Sequence, residues 1–336
     1  MKPKLLEWLV CPECAGALRQ TVSKADDDDT LEGLLTCGCG RTYPVRHGIP
    51  RFTEDAPLPP DIRRTQHSFG YQWTRFSQMV IDFRENFLDY IRPVDESFFP
   101  GKLGLDVGCG FGRHIFNAAT FGAEMVGVDI SAAIDSTRQN VRHLPNVHLV
   151  QANLYRLPFR PGTFDFAYSI GVLHHLPDPE RGFQSVVSMV KPRGTVFIWV
   201  YSKSRRFVNF QLESARRVTT RLPMRAQTCV TFVAAAVDWG LFIAPYSALA
   251  AVPGVGKAID KLVPPRIKLY SHYPFQVAWA DWFDRLAAPI RFYYNEADLT
   301  GWLGRAHLER TKISPTGLFG WRALGEVPAA KEPSLR

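Results

Sequence analysis

The chain has 336 residues, of which 46% are hydrophobic and 21% charged, with 40 Lys and Arg against 32 Asp and Glu for a net charge of +8. This is globular composition, which excludes a disordered or fibrous chain, and the length suits one large domain with a small module. Met1-Lys2-Pro3-Lys4 precedes no long apolar run, so no signal peptide is expected and the cysteines are read as belonging to a reducing, cytoplasmic compartment.

The first element is a cysteine module. Cys11-Pro12-Glu13-Cys14 and Cys37-Gly38-Cys39 supply four of the six cysteines. Two close pairs separated by a hairpin-length loop suit tetrahedral Zn2+, and in a reducing compartment metal binding outweighs two disulfides. The second pair is one residue tighter than usual, and Gly38 and Gly40 are expected to relieve the turn. Asp26 to Asp29 read as a solvated loop. Leu9-Val10-Cys11-Pro12-Glu13-Cys14-Ala15-Gly16-Ala17-Leu18 and Cys39-Gly40-Arg41-Thr42-Tyr43-Pro44-Val45-Arg46-His47-Gly48-Ile49-Pro50 resemble the Trm112-like zinc domain. The resemblance implies a zinc-ribbon-like domain over 1–53, with Cys11, Cys14, Cys37 and Cys39 as ligands. Free-standing members of that family activate methyltransferases. Here the module is either a folding staple or a docking element against the rest of the chain or its substrate.

Residues 54–66 form a proline-rich linker, stiff and non-helical around Ala56-Pro57-Leu58-Pro59-Pro60-Asp61. The next stretch, His67 to Phe76, holds Phe69, Tyr71, Trp73 and Phe76. It suits a lid over a cationic ligand, and equally an ordinary packed helix face.

Leu103-Gly104-Leu105-Asp106-Val107-Gly108-Cys109-Gly110-Phe111-Gly112-Arg113 is an apolar strand running into a glycine turn. A dinucleotide fingerprint needs glycine where Arg113 stands, and a carboxylate at Asp106 would repel a pyrophosphate. Glu124 to Ser131 reads as a second buried strand ending in Asp129, which follows Gly112 by 17 residues and leaves room for one helix. A carboxylate there can accept two ribose hydroxyls. A third strand runs from Val147 to Asn153, a fourth from Phe166 to Ile170 and a fifth from Gly194 to Val200, after a turn at Lys191-Pro192-Arg193-Gly194. Alternating strands and helices imply a mostly parallel sheet.

In this order the segments resemble class I S-adenosylmethionine-dependent methyltransferases, in particular the small-molecule enzymes grouped with ubiquinone-biosynthesis methyltransferases. The resemblance implies a Rossmann-like fold with a seven-stranded, mostly parallel sheet and a reversed C-terminal hairpin, over 67–325. It further implies that Gly108, Gly110 and Gly112 wrap the methionine part of S-adenosylmethionine, with Asp106 near its amino group. Asp129 and Ile130 would lie at the ribose, Asn153 and Leu154 at the adenine, and Ser169 at the end of the fourth strand. Asn153 stands where the family usually has Asp, and its amide oxygen can still accept from the adenine amino group.

A helical insertion over about 203–290 follows. Lys203, Arg205, Arg206, Arg216, Arg217, Arg221 and Arg225 are opposed only by Glu213, residues 228–253 are mostly apolar, and Lys257, Lys261, Arg266 and Lys268 come after. Asp238, Gly240 and Pro245 interrupt the apolar run and argue against a spanning helix. Peripheral membrane contact through 203–268 at the inner membrane face, a cap lining a substrate pocket, and a helix pair merely packed on the sheet all fit. Glu296 to Leu303 reads as the helix before the hairpin, with strands at 308–314 and 321–325, and 326–336 reads as a frayed tail.

Three classes of function compete: methyl transfer to a small-molecule or lipid-linked acceptor, methylation of RNA, and a non-catalytic zinc-bearing scaffold. Nucleic acid is disfavoured because Ser169-Ile170-Gly171-Val172 stands where base-amino methyltransferases often carry an Asn-Pro-Pro-Tyr-type motif. No obligate protein partner is inferred. His174, His175 and His272 are candidate bases because imidazole titrates near neutrality. The adjacent pair is read rather as structural or as part of the cofactor pocket.

Overall fold

The computed structural model describes residues 1–27, 29–53, 59–252, 254–259, 261–317 and 319–330. Asp28, most of the linker stretch Asp55-Ala56-Pro57-Leu58 and the end of the tail lie outside the described residues, as does the side chain of Lys257. The chain divides into two compact units. The first comprises 1–77, 83–205 and 290–336, and the second 78–82 and 206–289.

The N-terminal part of the first unit is a four-stranded antiparallel sheet: β1 (Leu18–Asp26), β2 (Asp29–Cys37), β3 (Thr42–Arg46) and β4 (Ile49–Pro50). Beside it are seven further strands: β5 (Leu103–Val107), β6 (Glu124–Asp129), β7 (Val147–Gln151), β8 (Phe164–Ile170), β9 (Val190–Tyr201), β10 (Glu309–Thr316) and β11 (Gly320–Glu326). They lie in the order β10-β11-β9-β8-β5-β6-β7. β7, β6, β5, β8 and β9 are parallel, and β11 runs antiparallel to β9, closing the reversed hairpin with β10. The parallel strands are short apolar runs because helices cover both faces, so alternation is not required of them. The strand order reverses at β5 and β8, which makes the crevice beyond their C-terminal ends the expected ligand position.

Three boundaries differ from the sequence expectation. Pro60 is the first residue of a helix, Pro60–Arg75, so the linker stops short of it. At that position the missing proline N–H costs no hydrogen bond. β9 starts at Val190 and passes through the expected turn, with a register shift between Phe164 and Phe166 and left-handed backbone at Arg193, φ 64°. The tail begins later than residue 326, because β11 includes Glu326 and Val327 exchanges backbone hydrogen bonds with Arg193 and Gly194.

The cysteine module shares one hydrophobic core with the large sheet: Leu5, Leu9, Leu35 and Val45 cluster with Val126, Val150, Ala152 and Phe159. Arg51 pairs in parallel with Gln151, and the Phe52 N–H donates to the Gln151 carbonyl at 2.8 Å, which covers the end of edge strand β7. The buried Arg51 guanidinium donates to both Asp135 oxygens at 3.1 and 2.6 Å and to Gln151 Oε1 at 3.0 Å. Lys2 Nζ donates to the carbonyls of Leu144, Pro145 and Val147 at 2.7–3.0 Å. The module is thus docked on the rest of the first unit. Bidentate pairs are among the stronger hydrogen-bonded contacts, but Asp135 is partly solvated, which discounts it. Arg51→Ala is expected to lower the unfolding free energy by about 2 kcal/mol, measured by urea titration; a change within error would show the pair to be silent.

The second unit is helical: Arg206–Thr219, Met224–Asp238, Ala244–Ala250, Val255–Ile259, Pro265–Ser271 and Phe275–Ala287. Asp238, Gly240 and Pro245 do not break the apolar run. A π turn at Trp239–Ile243 joins the flanking helices into one continuous helix, Met224–Ala250. The wider turn precedes Pro245 and accommodates a residue with no N–H to give.

Candidate active site and metal centre

The turn after β5 holds its three glycines in left-handed backbone, with φ of 86° at Gly108, 57° at Gly110 and 95° at Gly112. A Cβ on Gly108 would lie 2.3 Å from Val172 Cγ2, and one on Gly112 would lie 2.8 Å from Thr137 Cγ2. These two positions therefore need glycine for space as well as conformation. Val172 follows β8, so the close approach locks the ends of the two switch-point strands together.

Asp129, at the end of β6, ties this turn to the next. Its Oδ2 accepts from the Gly110 N–H at 3.0 Å, and its Oδ1 accepts from the Ser131 N–H and Oγ at 2.8 and 2.7 Å. Three of the carboxylate's roughly four acceptor sites are thus taken, and the open one is on Oδ2. Burial raises the carboxyl above the ordinary range, against the opposing pull of Ser131 and Gly110.

Asp106 is buried within β5, opposite Tyr168 of β8, and its Oδ2 has no hydrogen-bond partner. Burial pushes its carboxyl from 3.8 to about 8, with Tyr168 opposing and Asp129 reinforcing the rise. The folded chain thus retains a proton that the unfolded chain releases above about pH 4. The stabilisation this provides is complete below that pH and is lost as pH rises through about 8. A cationic amine placed against the bare Oδ2 would favour the ionised form. Ligand binding near neutral pH is therefore expected to release a proton. Calorimetry in buffers of differing ionisation enthalpy reads this directly, and Asp106→Asn should abolish the release.

The remaining sequence-predicted residues of the first unit fall along the same C-terminal edge of the sheet. The Ile130 carbonyl accepts from Gln66 Nε2 at 2.7 Å. Asn153 Oδ1 caps the short turn Leu154–Arg156 by accepting from the Tyr155 N–H at 3.0 Å, and Leu154 is buried beside it. Ser169 Oγ donates to the Val107 carbonyl at 3.0 Å, so its hydroxyl joins β8 to β5. His174 and His175 form part of a turn after β8, both buried, with ring centroids 4.2 Å apart. The His174 ring lies 3.9 Å from that of Tyr201. His175 Nδ1 sits 2.7 Å from the Ile290 carbonyl, which can only accept, so Nδ1 carries the proton. His272 ends the helix Pro265–Ser271 in the second unit.

The aromatic segment at 67–76 is mostly helix, and it packs over the glycine turn. Trp73 lies 5.1 Å from the Phe111 ring, and its indole is 3.5 Å from where a Gly110 Cβ would be. Phe69 lies 4.8 Å from the His175 ring. Sequence reasoning missed Thr137, whose Oγ1 donates to the Gly110 carbonyl at 2.6 Å and fixes the turn from a neighbouring helix. No local signal marks it.

In the module, Sγ of Cys11, Cys14, Cys37 and Cys39 all lie within 4.8 Å of one another, with Cys11–Cys39 at 3.8 Å and Cys14–Cys37 at 3.4 Å. These spacings are far beyond a disulfide bond of about 2.05 Å. They approach the roughly 3.8 Å separation implied by four sulfurs about 2.3 Å from a tetrahedral zinc. A Cβ on Gly16 would lie 3.1 Å from both Cys14 and Cys37 Sγ, so glycine there lets the sulfurs close in without displacement. Tyr43 Oη lies 3.1 Å from Cys11 Sγ. Burial opposes ionisation of Cys11, but Tyr43 and the backbone at Glu13 and Cys14 outweigh it and bring the thiol to about 6. Of the two glycines expected to relieve the second pair, only Gly40 is left-handed, at φ 88°.

The donor set fits Zn2+. The glycine turn, the bare Asp106 oxygen and the Asp129 carboxylate at the strand-order reversal together fit a ligand with an amine and vicinal hydroxyls, as S-adenosylmethionine has.

Residues 105–198 match the methyltransferase domain family, and residues 2–48 match the Trm112p-like protein family. The chain thus carries a methyltransferase domain and a Trm112p-like domain. An uncharacterised protein of Synechococcus sp. is 37% identical over 203 residues, covering 56% of this chain and 45% of that one. A ubiquinone biosynthesis O-methyltransferase of Paraburkholderia phymatum is 30% identical over 140 residues, covering 40% of this chain and 59% of its own. The chain therefore spans about half the length of the curated relatives it matches. Human N-acetylserotonin methyltransferase, solved in complex with S-adenosylmethionine, aligns with a TM-score of 0.48 at 14% identity, covering 82% of this chain and 61% of that chain.

Proposed function

We propose that the protein transfers a methyl group from S-adenosylmethionine to a small-molecule or lipid-linked acceptor. The observation that carries this reading is the Asp129 carboxylate bonded to Gly110 beside the buried, unpartnered Asp106 oxygen, at the C-terminal edge of a sheet with reversed strand order. When bound, the sulfonium supplies an electrophilic methyl group that needs little further activation.

The chain's own residues do the rest. Gly108, Gly110 and Gly112 let the backbone come close, Asp106 receives the amine, Asp129 accepts a ribose hydroxyl on Oδ2, and Leu154 offers an apolar wall to the base. Asn153 retains its Nδ2 donors and one further lone pair on Oδ1 for the adenine edge. Trp73 shields the glycine turn from water and Phe69 shields the His175 ring, which strengthens the electrostatic contacts there. For a hydroxyl acceptor a base is needed. With Nδ1 of His175 protonated, Nε2 is its basic nitrogen, whereas the His174 ring is packed against Tyr201 and supports the turn.

Zinc is assigned a structural role, since four cysteines close its coordination. The acceptor is identified by incubating the protein with cofactor labelled in its methyl group and fractionated cell extract. Label is expected in a small-molecule or lipid fraction. Label confined to RNA would overturn the acceptor class, and label in no fraction would count against catalysis.

A further inference from the structure

The second unit contains a helix whose polarity is inverted for a water-facing element. Along Met224–Asp238 the buried positions are Gln227, Thr231, Ala235 and Asp238, three of them polar. Their polar atoms, all but Gln227 Oε1, which is buried without a partner, are bonded inside the unit. Gln227 donates to the Leu222 carbonyl at 2.8 Å, Thr231 accepts from the Trp279 indole at 3.3 Å, and Asp238 is held by Arg266 and by the Trp282 indole at 2.9 Å. The outward face is the apolar one. Val230, Val233, Val237 and Leu241 are spaced at helical intervals and exposed, Leu241 at 65%. The adjoining helix Arg206–Thr219 repeats the pattern, burying Arg216 and Thr219 while Phe207 and Phe210 are 72% and 66% exposed. Isolated exposed apolar residues are normal, but two neighbouring helices that turn polar groups inward and large apolar groups outward match an apolar surrounding phase.

Charge narrows what that phase is. Arg217, Arg221 and Arg225 are all exposed at the junction of these two helices. The acids Glu213, Asp238 and Asp281 are each already paired with an arginine of the unit. Arg217, Arg221 and Arg225 therefore set positive charge at the edge of the apolar face. A second copy meeting this face through a two-fold axis would set the same arginines against one another. A bilayer with anionic headgroups supplies both the apolar phase and the countercharge.

The continuous helix Met224–Ala250 has 27 residues and is apolar and long enough by itself to cross a membrane. Its packing partner Phe275–Ala287 has only 13 residues and carries Asp281, Asp284 and Arg285, and Arg206–Thr219 has 14. Spanning takes about 20 residues. The unit as a whole therefore suits the interface plane and not a transmembrane orientation.

We propose that the helical unit docks the protein on the surface of a bilayer containing anionic phospholipid, with the Val230–Leu241 stripe and the Phe207 and Phe210 rings in the headgroup–acyl boundary. The inference does not depend on the methyl-transfer reading, because docking needs neither cofactor nor acceptor.

The test is flotation of the full zinc-loaded chain with vesicles of phosphatidylcholine alone and of phosphatidylcholine mixed with phosphatidylglycerol. Binding is expected to the mixed vesicles and to fall with salt. The variant Arg217→Gln/Arg221→Gln/Arg225→Gln should bind roughly a hundredfold more weakly, at about 1 kcal/mol per basic residue. Phe207→Ser/Val237→Gln should lose binding to the mixed vesicles. Both variants alter exposed positions, so unchanged thermal midpoints are expected and confirm intact folding. Three results would overturn the proposal: no binding by the wild type, equal binding by the arginine variant, or concentration-dependent dimers in sedimentation that the Phe207→Ser/Val237→Gln variant abolishes.

Discussion

Chelation of the metal, or Cys37→Ser, is expected to lower the melting temperature of the first unit as a whole and not merely to unfold a peripheral module. The four sulfurs are gathered within 4.8 Å, and a module of about 50 residues has little core of its own to replace them. Structural zinc in such sites carries about 10–16 kcal/mol of apparent binding free energy, most of which is folding free energy. Leu9, Leu35 and Val45 belong to the same apolar cluster as Val150 and Phe159, so unfolding the module uncovers one side of the large sheet. It also frees the end of β7 and removes the arginine that holds Asp135. Scanning calorimetry with and without chelator should show one transition moving down by tens of degrees. Two separate transitions, of which only the smaller responds to chelator, would show the module to be an independent appendage.

Asp129→Ala should weaken S-adenosylmethionine binding by at least roughly a hundredfold. A hydrogen bond to a charged group contributes about 1.5–3 kcal/mol, and the carboxylate keeps one open acceptor site on Oδ2 for a ribose hydroxyl. The same substitution removes the acceptor of the Gly110 N–H and the anchor of Ser131, so part of the loss comes from a looser turn. Asp129→Asn keeps one acceptor oxygen and should fall between wild type and alanine. Equilibrium binding of the three proteins at one pH gives the ranking, and thermal midpoints within a few degrees establish that the fold is intact. Equal affinity across the three would remove Asp129 from the binding site.

The parts legible from the chain alone were those written in contiguous residues. Each parallel strand of the large sheet carries a short apolar run, and the spacing from Gly112 to Asp129 leaves room for one helix. The two cysteine pairs likewise announce a shared ligand before the fold brings them together. What stayed hidden depends on long-range packing. Thr137 reaches the Gly110 carbonyl only because its helix crosses the glycine turn, and Arg51 meets Asp135 only because the module covers the end of β7. The helix Met224–Ala250 looked interrupted by Pro245 because a π turn has no sequence signature of its own. Its outward-facing apolar stripe becomes visible only when the inward face is seen to hold Gln227, Thr231 and Asp238.

The most direct test of the account is a calorimetric titration of S-adenosylmethionine into the intact, zinc-loaded chain at neutral pH, repeated in two buffers of different ionisation enthalpy. The account predicts one site of micromolar affinity, with a proton released from Asp106 on binding. The absence of binding heat in both buffers, from protein that melts cooperatively, would contradict it.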